Sequence, residues 1–199
     1  MRAVPAWVNN LLSDSRVERY QVYLRRKGRP TKSTRSVPVP LLCAIDAGET
    51  TGVALLSPSW AVVLEARDKD FGFAKFLLSR LPKQVRGTGD RRATVCIESG
   101  FCPSAEAVYR AGVYTGLALA NDFEPALIHP NAKAQIFKQS RLSTKCILIA
   151  KALQTFNFAP HTFEGDGYFQ HASDALGVAF TYLRHNYNIP TPDIVLPLF

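Results

Sequence analysis

Apolar residues follow two patterns along the chain, short continuous runs and helical spacing. The continuous runs predict buried strands over residues 41–46, 52–56, 60–65, 93–98 and 126–129. Helical spacing predicts helices over residues 7–27, 71–81, 104–120, 143–156 and 170–184, with Ser104 as a candidate N-cap of the third. Strands first, and then alternating strands and helices, are typical of an α/β fold with a mixed sheet covered by helices.

Two of the predicted strands end in an acid that a glycine follows two positions later. Asp46 closes the run LLCAIDAG, and Glu98 closes TVCIESG. A third acid, Asp174, lies within the apolar segment HASDALGVAF. Acids in such surroundings are costly to desolvate unless something compensates them, and a divalent cation would do so. A single acid of this kind is commonly a turn or helix-capping residue, but three in matched contexts favour a shared site.

The predicted topology places Asp46 and Glu98 at one edge of the sheet. The carboxyl ends of strands are where open α/β sheets place their sites. His171 and Asp174 are three residues apart, so they share a helix face. If Asp46, Glu98 and Asp174 converge, one of them is protonated or a cation binds, and oxygen ligands suit Mg²⁺ or Mn²⁺. His171 is then either a helix-start residue of structural importance or a group that orients or deprotonates a water.

Composition and charge limit the classes of protein. The 199 residues suit one α/β domain with additions, and the net charge of +8 favours a polyanionic partner. We expect a basic N-terminal extension over residues 1–40, made of a helix and a linker. The main domain is expected over 41–187, and a proline-containing tail over 188–199. Four cysteines without a C-x-x-C pair indicate reduced thiols rather than zinc ligands or disulfides. We expect no membrane span and no signal peptide.

Three short motifs resemble those of a known family. They are D-x-G-x-T-T-G from Asp46, I-E-x-x-F ending at Phe101 and H-x-x-D-A from His171. Their order and spacing resemble those of RuvC-type Holliday junction resolvases of the RNase H-like (retroviral integrase-like) superfamily, over about residues 41–185. The first motif is most similar to that of the phage-encoded branch.

The resemblance implies an RNase H-like fold, with a central mixed five-stranded sheet flanked by helices. It implies that Asp46, Glu98, His171 and Asp174 form the catalytic and metal-binding set, with two Mg²⁺ or Mn²⁺ ions per site. The implied reaction is paired symmetric nicking of a four-way DNA junction that leaves 5′-phosphate ends. A homodimer formed through the helix at 104–120 would supply the two sites. The implied location is the cytoplasm of a bacterium or a phage-infected cell, with organelle targeting less favoured.

The resemblance also assigns contacts with DNA. Phe101 would stack on bases at the junction centre, although it could equally anchor its loop on the core. The residues expected to contact the phosphate backbone are Lys133, Lys138, Arg141 and Lys145. Each of these cations is also compatible with an ordinary solvated surface.

Other functions stay open at this point. The chain could be a nuclease of the same fold for other branched DNA, flaps or RNA-containing substrates, or a DNA-binding relative. An actin-like ATPase also begins with a hairpin rich in Asp, Gly and Thr. That class needs two such domains, which 199 residues cannot hold.

Overall fold

Among the described residues, seven strands form one sheet at the centre of the fold. The computed structural model describes residues 4–26, 35–83, 93–100, 104–131, 149, 153–164 and 169–189. The strands are β1 (Val17–Arg25), β2 (Leu42–Asp46), β3 (Thr50–Leu56), β4 (Trp60–Arg67), β5 (Thr94–Glu98), β6 (Ala126–Ile128) and β7 (Phe158–Glu164). The helices with described bounds are α1 (Ala6–Leu12), α2 (Gly72–Arg80), α3 (Ala105–Ala120) and α4 (Gln170–Tyr187).

The sheet is mixed, as the sequence predicts. Its strand order is β6-β5-β2-β3-β4-β1-β7. β2, β3 and β4 form an antiparallel meander, and β5 and β6 continue it in parallel with β2. The expectation of five strands was wrong, because β1 and β7 extend the sheet beyond β4 as antiparallel strands. β7 lies between two of the predicted helices, where the apolar pattern predicts no strand.

The N-terminal segment supplies one of these added strands. The predicted helix over residues 7–27 was wrong beyond Leu12. Asp14 ends the helical region, since its Oδ1 accepts a hydrogen bond from the Arg16 backbone N–H at 3.0 Å and its carboxylate also binds the Arg16 guanidinium. β1 then buries Val22 on one face of the sheet and Tyr23 on the other. The boundaries proposed for the three segments of the chain stay predictions.

Alternate strand residues pack on opposite faces of the sheet, as a period of two requires. Leu42 and Ala44 of β2 pack against α4, whereas Cys43 and Ile45 pack against the face that α1, α2 and α3 cover. Helices therefore cover both faces, and two hydrophobic cores result. The buried thiols of Cys43 and Cys96 lie within these cores. Cys102 and Cys146 lie outside the described residues.

Three predicted helices are confirmed within the described residues. They are α2, α3 and α4. Ser104 caps α3 as predicted, because its hydroxyl accepts a hydrogen bond from the Ala107 N–H at 3.2 Å. Most of the predicted helix over 143–156 lies outside the described residues. None of the described helices has the length and apolar character that a membrane span requires.

The first turn of α4 lies directly on strand β3 at Gly52. A Cβ atom at Gly52 would come within 1.9 Å of the His171 carbonyl oxygen and 2.1 Å of its carbonyl carbon. No residue with a side chain fits at such a distance from backbone. Glycine at this position therefore determines how closely the helix approaches the sheet.

We predict that Gly52→Ala destabilises the fold by about 1–3 kcal/mol or more, because the methyl group overpacks a backbone contact. Urea denaturation monitored by circular dichroism measures the change. Gly72→Ala is the matched control, since the new methyl group there would meet mainly the movable end of the Arg16 side chain. An equal effect of the two changes would contradict the rigid contact.

Candidate active site

Asp46 and Glu98 lie side by side at the carboxyl ends of two neighbouring parallel strands. Ile45 of β2 pairs with Ile97 of β5, so each acid follows a paired residue. The two acids line one cleft of about 300 Å³. The other residues that line it are Ala47, Ser99, Gly100, Ser104, Ala107 and Pro130. The expectation that strand ends bring these two acids together is confirmed.

Both acids lie on the face of the sheet that α4 covers. Asp46 is two residues beyond Ala44, and Glu98 is two residues beyond Cys96, and both of these residues pack in the core beneath α4. Past Glu98, the chain runs tightly along the first turn of α3, where a Cβ at Gly100 would come within 2.2 Å of the Val108 Cα. The end of β5 is thus fixed against α3.

His171 reaches Asp46 from the first turn of α4. Its Nδ1 atom lies 3.1 Å from Oδ2 of Asp46. A carboxylate only accepts, so the Nδ1 proton is donated to Asp46 and the lone pair of a neutral ring is on Nε2. The hydrogen bond to Asp46 raises the pKa of His171; burial opposes this, and the charges of Asp46, Glu65 and Asp174 add to the rise.

Asp174 lies one helical turn beyond His171, half-buried, and its charge contributes to the raised pKa of His171. The structure thus brings Asp46 to both Glu98 and His171, with Asp174 on the same helix as His171. Among the described residues, no group of three or more His, Cys, Asp or Glu side chains is gathered closely enough to hold a metal ion. Three carboxylates and one imidazole are nevertheless donors of the kind that Mg²⁺ or Mn²⁺ accepts. Their role as metal ligands stays a prediction.

The sequence reasoning missed a further acid, Glu65 of β4. Its side chain is buried, with the residue only 3% exposed, and its Oε1 accepts a hydrogen bond from the Ala172 backbone N–H at 3.1 Å. Oε2 lies 3.4 Å from Nε of Arg19. Burial raises the pKa of Glu65, while the backbone hydrogen bonds and the charges of His171 and Arg19 oppose the rise. The one available signal was an acid between Leu64 and Ala66 in an otherwise apolar strand.

A second missed acid, Asp68, lies behind the site and is fully buried. Its carboxylate accepts hydrogen bonds from the N–H groups of Phe73 (2.7 Å) and Ala74 (3.1 Å) and from the Tyr114 hydroxyl. It therefore caps the start of α2. The Asp68 carbonyl oxygen accepts a hydrogen bond from Nη1 of Arg110 at 3.0 Å. Burial and the neighbouring carboxylate raise the pKa of Tyr114.

This network also holds the turn that follows Asp46. The Thr51 hydroxyl lies 2.7 Å from the Tyr114 hydroxyl and 2.9 Å from the Gly48 carbonyl oxygen. Nη1 of Arg110 donates to the same carbonyl at 3.3 Å, and its guanidinium lies 5.1 Å from the centre of the Phe71 ring. Residues of α3 and β3 thus fix the β2–β3 turn from the face opposite α4.

The predicted DNA contacts lie outside the described residues. They are Phe101, Lys133, Lys138, Arg141 and Lys145. Several arginines of the basic N-terminal segment have partners within the protein, since Arg16 binds Asp14, Arg19 binds Glu65 and Arg25 binds Ser36. These three therefore contribute to the fold as well as to the positive charge.

Comparisons with known proteins find similarity at the level of solved structures rather than of sequence families. No model of a protein family matches it, and no curated protein matches it. Among solved structures it is similar to T. thermophilus RuvC in complex with a Holliday junction substrate, with a TM-score of 0.42 and 16% sequence identity. The alignment covers 74% of this chain and 96% of that chain. Likeness at this level does not assign an activity.

We predict that Tyr114→Phe lowers the free energy of unfolding by about 1–3 kcal/mol, because buried Asp68 loses a donor. Urea denaturation should show a lower midpoint with an unchanged slope. Tyr109→Phe is the matched control on the same helix, since Tyr109 is 63% exposed, and we expect a change within about 0.5 kcal/mol. Equal stability of the two variants would contradict the role of the network.

Proposed function

We propose that the protein is a metal-dependent, structure-selective endodeoxyribonuclease with an RNase H-like fold that resolves four-way DNA junctions. It would do so by paired symmetric nicks that leave 5′-phosphate ends. The observation that carries the proposal is the meeting of Asp46 with Glu98 in one cleft and with His171 across 125 positions of sequence. The resemblance of the three motifs to those of RuvC-type resolvases supports the same function.

The donor set suits phosphodiester hydrolysis. Asp46, Glu98, His171 and Asp174 would hold two divalent ions, which supply Lewis-acid activation of water and of the leaving oxygen when bound. His171 has a role that follows from its own geometry. Because Asp46 accepts the Nδ1 proton and fixes the orientation of the ring, Nε2 carries the lone pair of the neutral ring. That atom would either ligate a metal ion or, when no ion is bound to it, orient the attacking water or accept its proton.

Affinity for DNA would come from positive charge and stacking. The net charge of +8 favours a polyanionic substrate without selecting a sequence. Phe101 would stack on bases beside the cleft, only three residues after Glu98. Lys133, Lys138, Arg141 and Lys145 would contact phosphates, which position the DNA but do not read its sequence.

Paired nicking requires two active sites, and a C2 homodimer would supply them. The exposed face of α3 suits such a contact because it is apolar. Val108 is 48% exposed, Tyr109 63% and Leu119 56%. Gly112 and Gly116 lie on the same exposed side, where an added Cβ would meet nothing within 4 Å. Glycine within a helix is unfavourable by roughly 1 kcal/mol relative to Ala, and close approach of a second helix would explain two of them.

We predict that Asp46→Asn abolishes cleavage of a labelled four-way junction in Mg²⁺. The loss should exceed the roughly 10–100-fold change that follows removal of an outer-shell partner of a metal. EDTA should stop the wild-type protein in the same assay. Asp122→Asn is the matched control, because this acid is exposed at the end of α3 and paired with Lys83.

The substrates in this assay separate the alternatives. A flap, a plain duplex and an RNA–DNA hybrid are compared with the junction under the same conditions, and ATP hydrolysis is measured in parallel. Symmetric nicking confined to the junction supports the proposal. Equal cutting of all substrates, or ATP hydrolysis without cutting, would contradict the proposed function.

We predict that Gly116→Glu converts a dimer into a monomer, as measured by light scattering at micromolar concentration with junction present. Open space around Gly116 lets the monomer keep its fold, whereas a dimer would bury two like charges near its axis. The two nicks should then become uncoupled. Ser79→Glu on the exposed side of α2 adds the same charge elsewhere and should leave the dimer intact. A wild-type protein that stays monomeric on junction DNA would rule out the paired mechanism.

A further inference from the structure

Four paired residues form one row across four neighbouring strands, at the end of the sheet that carries Asp46. Asp46 of β2 pairs with Gly52 of β3, Gly52 pairs with Glu65 of β4, and Glu65 pairs with Arg19 of β1. Residues paired in this way have side chains on the same face of a sheet. The row therefore lies beneath the first turn of α4, which carries His171.

Each member of the row acts differently on that first turn. Asp46 accepts the hydrogen bond of the His171 ring, and Gly52 leaves room for the His171 carbonyl group. Glu65 accepts the N–H of Ala172, the next residue along the helix. The helix start is thus held on both sides of its contact with Gly52.

Glu65 replaces a cap that the local sequence does not provide. The N-cap residue of α4, Phe169, makes no side-chain hydrogen bond to the helix, and the first turn contains no acid. The first N–H groups of a helix have no partner within the helix, and a carboxylate near them is favoured by the helix dipole. Glu65 supplies both the acceptor and the negative charge from a strand 107 positions away.

Arg19 reduces the free-energy cost of burying the Glu65 carboxylate. Glu65 is buried, and an isolated buried carboxylate is costly. Nε of Arg19 lies 3.4 Å from Oε2, on the side of Glu65 away from Gly52. The pair leaves Oε1 to accept from Ala172, so the orientation of the carboxylate is fixed by contacts to both oxygens.

We propose that Glu65, supported by Arg19, is a positioning residue that sets the location of His171 relative to Asp46. Glu65 makes no contact with substrate in this role, and it acts through the backbone of α4. The proposal rests on the proposed nuclease function for its kinetic consequence only. Its structural consequence, the fixed first turn of α4, is measurable without DNA.

Two variants of similar size separate the hydrogen bond from simple filling of space. Glu65→Met removes the acceptor, and Glu65→Gln keeps an oxygen that faces Ala172. We expect hydrogen exchange at the Ala172 amide, measured by NMR, to become roughly 10-fold faster or more in the Met variant and to stay near the wild-type rate in the Gln variant. The His171 imidazole signals should shift more in the Met variant, which loses both the charge and the acceptor, than in the Gln variant, which loses the charge alone.

The kinetic prediction uses the same pair on four-way junction with Mg²⁺. We expect Glu65→Met to lower kcat roughly 10–100-fold, as loss of an outer-shell partner does, with KM near its wild-type value. Glu65→Gln should recover most of this loss. Leu183→Ala is the control for stability, because it creates a cavity in the same helix about 18 Å from His171. It should leave kcat unchanged at a temperature where all variants are folded.

The outcomes separate the two proposals. Equal Ala172 exchange in the Met, Gln and wild-type proteins would overturn the positioning role, whether or not the protein cuts DNA. A wild-type protein that cuts no junction would overturn the proposed function, while the exchange rates still decide the role of Glu65. If Glu65→Met does not fold, Glu65→Gln decides alone. Near wild-type exchange and kcat then support a hydrogen-bond acceptor, and a large loss of both overturns it.

Discussion

The contact between α4 and strand β3 at Gly52 is the constraint on which the geometry of the site depends. The His171 carbonyl occupies the space that a side chain at Gly52 would need. The first turn of α4 is therefore held at one fixed height above the sheet. That height lets the His171 ring reach Asp46 and lets the Ala172 N–H reach Glu65. Two hydrogen bonds between distant parts of the chain thus follow from the absence of one side chain.

Buried charge at this end of the sheet is compensated mainly by fixed donors rather than by surface ion pairs. Asp68 accepts two backbone N–H groups and the Tyr114 hydroxyl, and Glu65 accepts one backbone N–H beside Arg19. Such donors are held by the fold and need no reorganisation. Asp46 differs, because its partner His171 is a titratable ring on a different element. A titratable ring balances the Asp46 charge only when it is protonated, and a cation bound beside Asp46 would favour the neutral ring.

The sequence was informative where a signal is local and less so where a contact is distant. Periodicity located β2 to β6 and the helices α2 to α4, and Ser104 was identified as a cap from its position alone. β1 was assigned to a helix because its apolar residues fit both periods, and pairing with β4 and β7 decides between them. Glu65 was taken for an ordinary strand residue, since its partners Arg19 and Ala172 come from distant segments. No local pattern carries that information.

The two acids at the strand ends are therefore supported in different ways. The turn after Asp46 is held on one face of the sheet by Thr51 and Arg110. The Asp46 carboxylate is held on the other face by His171 of α4. Glu98 follows strand β5 into a loop that packs against α3 at Gly100. Changes in the position of α4 thus act first on Asp46, whereas changes in α3 affect the surroundings of both acids. α3 also carries the exposed apolar face. A partner bound to that face would therefore be separated from the cleft by α3.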